Sequence, residues 1–198
     1  MDSNQLLEEY RKGRRDFSGI KLTNANLSGV ILEGAVFKNC NLSDTHFDHS
    51  DLSGADFSNC HMTRCSFFGA VLKKTNFEEA DLSYATLKNA YFENTRLGRA
   101  NLMWAHLCES DLARSSIENA NLTWSCLIGS NLSEDQIKSI PEATLTTISM
   151  TKRPSEQKTT YANQQSITAG ISGYGSGKDE TALYTNPQPK EKKKQDWC

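Results

Sequence analysis

The sequence predicts an all-β chain: a right-handed quadrilateral parallel β-helix of about six coils, closed by short helices and followed by a disordered tail. Two observations carry this expectation. Every fifth residue from Phe17 to Ile137 is Leu, Phe, Met or Ile, twenty-five positions without a slip of register. Two residues before most of them stands something small, as at Ala25, Ala35, Cys40, Thr45, Ser50, Ala55 and Ser130.

A period of five suits neither ordinary element. On a helix, every fifth residue drifts around all sides. On a flat strand it points alternately to opposite faces. The chain must therefore bend once per quintet to return each apolar centre to one interior axis. Short periods of this kind belong to solenoids, whose units bury their apolar side only against stacked neighbours.

Longer columns set the number of corners. At a spacing of twenty, Phe17, Phe37, Phe57 and Phe77 align, as do Tyr84, Trp104 and Trp124. At fifteen both columns scatter. Four quintets per coil follow, giving a stack about 29 Å long at roughly 4.8 Å per coil.

The quintets Ala25-Asn26-Leu27-Ser28-Gly29, Ala55-Asp56-Phe57-Ser58-Asn59, Ala80-Asp81-Leu82-Ser83-Tyr84 and Ala120-Asn121-Leu122-Thr123-Trp124 resemble the A-(D/N)-L-x-x unit of pentapeptide-repeat proteins. The resemblance implies the square, right-handed β-helix, in keeping with the hand of parallel crossovers. The lead-in from Leu6-Leu7-Glu8-Glu9-Tyr10 to Arg15-Asp16-Phe17 is similar to cyanobacterial members. Family resemblance of this kind says little about task.

The expected organisation is a capping helix in 1–14, the repeat stack in 15–134, a second cap in 135–149 and a disordered tail in 150–198. An open solenoid end exposes apolar side chains and unpaired edges, so it needs a lid. Residues 3–13 read as an amphipathic helix with Ser3 or Asn4 as N-cap and Gly13 as its stop. Ser133-Glu134-Asp135-Gln136 is a capping box opening a helix that Pro141 ends, with Ile137 and Ile140 toward the stack. Beyond residue 150 the composition turns to Thr, Ser, Gln, Gly and Lys, which favours disorder.

A net charge of −2 predicts no general attraction to nucleic acid or anionic membrane. No apolar run approaches a membrane span, and the N-terminus lacks a signal layout, so a cytoplasmic location is expected. The six cysteines show no paired Cys-x-x-Cys spacing, so neither disulfides nor a zinc site is expected. Cys40, Cys60 and Cys65 fall in the small inward slot, whereas Cys108 and Cys126 should point outward.

Chemistry is sparse on the outer walls. Carboxylates are plentiful, but acid–base work needs a desolvated cleft that shifts pKa values. His46 and His49 with Asp48 between them lack converging further ligands. No enzyme activity, cofactor or metal is expected. The departure from the usual polar surface is apolar: Tyr84, Trp104 and Trp124 at one corner, with Met103 and, around the corner, Ile128. Contiguous exposed Trp and Met are interface chemistry.

The chain therefore reads as a non-catalytic interaction or scaffold module, with a protein partner or a second copy on the aromatic corner. The alternative comes from the resemblance. Family members that confer fluoroquinolone resistance mimic duplex DNA and engage DNA gyrase, dimerising through a C-terminal helix. Residues 17–137 carry 14 acidic against 9 basic residues, a thin surplus for such mimicry.

Overall fold

The computed structural model describes residues 1–141 together with Thr144 and Ile148. These belong to one compact unit, Met1–Glu156; a second unit is Gln157–Cys198. The expected tail of 150–198 and its basic run lie outside the described residues.

Each quintet from residue 15 onward makes one wall and one turn. Parallel bridges join residues twenty apart, from Asp16 with Val36 to Asp111 with Asn131. Bridged contact is confined to the residue before each centre, so no extended strand develops. In the quintet around Phe57 all five backbone N–H groups find acceptors. Ala55 N bonds back to Leu52 O (2.9 Å) and closes the preceding turn. Asp56 N reaches Ala35 O in the coil before (2.9 Å), and Phe57 N reaches Asn76 O in the coil after (2.7 Å). Asn59 N also reaches the coil after, at Glu78 O (3.0 Å). The N–H left over, on Ser58, is taken by the Asp56 carboxylate at 3.0 Å. This is why Asp or Asn precedes so many centres: its side chain caps an N–H that the coil geometry leaves without a backbone acceptor.

The second turn residue adopts positive φ almost throughout, as at Asn24, Asn39, Asn59 and Gly29. Gly and Asn tolerate this conformation best. Arg114 is the exception, a turn residue whose φ is not positive. The bridges from Tyr91 to Asp111 and from Asp111 to Asn131 continue past it, and Leu112 N meets the Asn131 side chain at 2.8 Å.

Every centre from Phe17 to Leu132 is buried. Phe17, Phe37, Phe57 and Phe77 stack with centroids 5.5, 5.0 and 5.3 Å apart. Phe47 and Phe67 form a parallel pair at 5.2 Å that meets this column edge-on. Polar residues in the small slot are satisfied. Thr45, Thr75, Thr95 and Ser110 donate their hydroxyls to centre carbonyls of the coil below, at 2.6 to 2.9 Å. Among the described residues, no buried side-chain nitrogen or oxygen lacks a partner.

Helix α1 spans Ser3–Arg11. Its N-cap is Asp2 rather than Ser3 or Asn4, because Gln5 stands at the third helical position and completes a capping box with Asp2. Leu6 is fully buried in the core, and the Tyr10 hydroxyl donates to Glu33 O at 2.9 Å. The Arg15 guanidinium lies 3.9 Å above the Tyr10 ring.

Helix α2 spans Glu134–Ser139, with Ser133 and Gln136 forming the capping box. Gln136 Nε2 donates to Leu112 O and Ser115 O, at 2.8 and 2.6 Å. Ile137 lies in α2 and is only partly buried, so the run of stacked centres ends at Leu132. The five-residue count continues into the helix only by coincidence of spacing.

Candidate interaction surface

One corner of the stack carries Asn24, Asp44, Arg64, Tyr84, Trp104 and Trp124, each the second turn residue of its quintet. The lower rungs are polar. Arg64 Nε and Nη2 donate to the two Asp44 carboxylate oxygens at 2.7 and 2.8 Å. The upper rungs are aromatic. Tyr84 stacks on Trp104 with centroids 6.3 Å apart and planes 7° from parallel. Trp104 stacks on Trp124 at 5.4 Å and 11°. The exposures are 52%, 43% and 52%, so these rings stand in solvent rather than core.

The backbone beneath them is fixed on both sides. Tyr84 N reaches Met103 O at 3.0 Å, and Trp104 N reaches Thr123 O at 3.1 Å. A parallel row of amides runs alongside: Asn121 Nδ2 donates to Asn101 Oδ1, and Asn101 Nδ2 to Asp81 Oδ1, both at 3.1 Å. Met103 is half-buried within the corner. Ile128, also half-buried, belongs to the adjoining wall and stands next to the centre Leu127. The structure thus brings Tyr84, Trp104 and Trp124 into one row, places Met103 beside it, and sets Ile128 apart.

The sequence reading of Cys108 and Cys126 needs correcting. Both are buried, at 8% and 7% exposure, and they are joined in a disulfide with Cα atoms 5.8 Å apart. Cys108 follows the centre Leu107 and Cys126 precedes the centre Leu127 in the coil above, where it bridges His106. A separation of 18 residues is adjacent only once the chain has coiled.

Asp48 is engaged structurally. It accepts the Ser66 hydroxyl and the Phe68 N–H, the latter at 3.0 Å, and the His49 ring meets Phe68 edge-on at 5.3 Å. Among the described residues, no three His, Cys, Asp or Glu side chains converge as a metal site.

Other carboxylates are matched by bases one coil away. Arg99 meets Glu79 at 2.6 Å and Lys73 meets Glu93 at 2.9 Å, each twenty residues apart. The hydrogen bond from Arg64 holds the Asp44 carboxyl below its ordinary range. Hydrogen bonds from Lys73 and then Tyr91 do the same for Glu93.

Two models of pentapeptide repeats match the chain, one over residues 20–59 in eight copies and one over a pentapeptide repeat region at 60–137. The chain belongs to the pentapeptide-repeat family. Pentapeptide-repeat proteins form right-handed β-helices, and the twenty-residue parallel register described above is of that kind.

Among solved structures, the chain is similar to HetL, a pentapeptide-repeat protein involved in heterocyst differentiation regulation from the cyanobacterium Nostoc sp. strain PCC 7120. Identity is 25% over 67% of this chain and 69% of HetL, with a TM-score of 0.45. It is also similar to Rfr23 from the cyanobacterium Cyanothece 51142, at 24% identity over 66% of this chain and 97% of that one, TM-score 0.30. A trypsin-treated form of QnrB1, a plasmid-mediated fluoroquinolone resistance protein, matches at 19% identity over 69% and 92%, TM-score 0.35. Likenesses at these scores bear no argument about function. No curated protein matches. Among the described residues, no helix is long and apolar enough to cross a membrane.

Proposed function

We propose that this pentapeptide-repeat protein is a non-catalytic interaction module whose aromatic corner contacts a protein partner. One observation carries the reading. Tyr84, Trp104 and Trp124 have φ values of 60°, 62° and 61°, at a turn position that Gly or Asn fills with least strain. A left-handed conformation costs such a residue about 1–2 kcal/mol. Each stacked pair returns about 0.5–1.5 kcal/mol. Three costs against two stacks leave little or no net gain, so stability of the coil does not account for aromatics here. Large, rigid aromatics held in a row on a fixed backbone are the side chains that anchor protein interfaces.

The alternative of a DNA-mimicking gyrase modulator has less behind it. Duplex DNA carries one negative charge per roughly 1.7 Å, so a stack of about 29 Å needs about 17. The 14 acidic residues of 17–137 are offset by 9 basic ones. Several of those pair directly with carboxylates one coil away. The cytoplasmic location expected from the sequence is retained in this reading, as are α1 and α2 as lids on the stack.

The test uses Trp104→Asn, Trp124→Asn, a pair of changes compatible with the turn. Light scattering reports mass, and immobilised wild type and variant are compared for retained proteins in a host extract. A discrete partner lost by the variant, with its thermal unfolding unchanged, supports the reading. A concentration-dependent dimer lost in the variant assigns the corner to a second copy. Identical mass and identical retained proteins overturn it.

A further inference from the structure

The disulfide differs from the other described cysteines in kind. Cys40, Cys60 and Cys65 are free and sit in the core at 0–1% exposure. The thiols of Cys60 and Cys65 donate to Phe37 O and Leu42 O, and burial pushes Cys65 up to about 12. Thiols so placed are inert. Cys108 and Cys126 are buried too, but flank centres rather than filling the small slot, and each retains a sliver of solvent contact.

Their position in the coil is specific. The bond ties the residue after one centre to the residue before the centre above, closing a loop of almost one full coil. That loop contains the turn at Arg114, whose second turn residue does not take the left-handed conformation. The bond's ends stand four residues after Trp104 and two after Trp124. The staple therefore spans the coils that hold the upper aromatic stack, and it encloses the irregular turn at Arg114.

We infer that Cys108–Cys126 is a thiol–disulfide exchange site that sets how firmly the upper coils close and how Trp104 meets Trp124. The reductant is a dithiol, protein or small molecule. Its thiolate attacks one sulfur, the Cys108–Cys126 bond breaks, and a mixed disulfide forms while the released thiolate takes a proton. The second thiol of the reductant then displaces the remaining cysteine. Two electrons and two protons pass to Cys108 and Cys126, and the dithiol leaves as a disulfide. In a reducing compartment such bonds are transient and redox-sensing, whereas in an oxidising one the staple stays shut. The inference stands without the proposed partner.

Full-length protein is treated with dithiothreitol without denaturant, alkylated and mapped by mass spectrometry, alongside amide hydrogen exchange and near-ultraviolet circular dichroism of the indoles. Cys108 and Cys126 are expected to label while Cys40, Cys60 and Cys65 do not. Amides of 105–131 should then exchange at least about tenfold faster, those of 35–80 remaining unchanged. The indole signal should fall and return on reoxidation with oxidised glutathione. Cys108→Ser, Cys126→Ser should match the reduced wild type; should it fail to fold, reduced wild type supplies the comparison. A pair that opens only in denaturant, that is free from the outset, or whose reduction leaves amide exchange and indole signal unaltered overturns the inference.

Discussion

Trp104 lies over Trp124 with centroids 5.4 Å apart and planes 11° from parallel, and both indoles rise from left-handed backbone. The stack and the strain oppose each other within the same two residues. Replacing Trp104 by Asn relieves strain of about 1 kcal/mol and gives up two stacked contacts of about 0.5–1.5 kcal/mol each. The expected net change in unfolding free energy is a loss of no more than about 2 kcal/mol. Chemical denaturation checks it. A loss well beyond that range means the row is a structural brace.

The aromatic column inside behaves differently. Phe57 lies between Phe37 and Phe77 and meets Phe47 edge-on at 5.7 Å. Both neighbours are tied to their own coils by backbone bonds, so the wall cannot collapse into a vacancy. Phe57→Ala is expected to cost about 3–5 kcal/mol, visible as a lowered denaturation midpoint with little change in slope. Phe57→Leu should lose much less, since neighbouring centres already use Leu. Equal losses for the two would mean that the stacked ring faces, not the filled volume, are what the column requires.

Acid should loosen the walls before it reaches the core. Asp44 and Glu93 have folded-state pKa values lowered from 3.8 and 4.5 by their bonds to Arg64 and to Lys73 with Tyr91. A lowered folded value means that the stabilisation is present above the unfolded value and disappears as pH falls through the folded one. Stability should therefore hold from neutral pH to about 4.5 and decline below about 4. Arg64→Ala should reduce that decline while changing stability little at neutral pH, because the pair is exposed. A pH titration of the thermal midpoint for wild type and variant decides this; parallel curves would show that the pair contributes nothing.

Much of the coil was legible in the sequence because its constraint is periodic. A large apolar residue every fifth position, with a small one two before it, leaves the backbone one way to bury both. Tyr84, Trp104 and Trp124 were likewise readable as one corner from their spacing of twenty. Where periodicity stops, legibility stops with it. Asp2 took the N-cap of α1 because Gln5 answered it, a reciprocal choice that Ser3 and Asn4 equally suggested by type. Ile137 kept the count of five yet entered a helix.

The amino-acid order by itself determined the quintet, its inward columns and its outward aromatics, since those follow from which side chains water excludes. Only the folded chain decided that Cys108 would meet Cys126 and that Arg64 would pair with Asp44. Both depend on distances across coils, where residues 18 or 20 apart become neighbours. No local pattern of polarity encodes such a contact; stacking creates it.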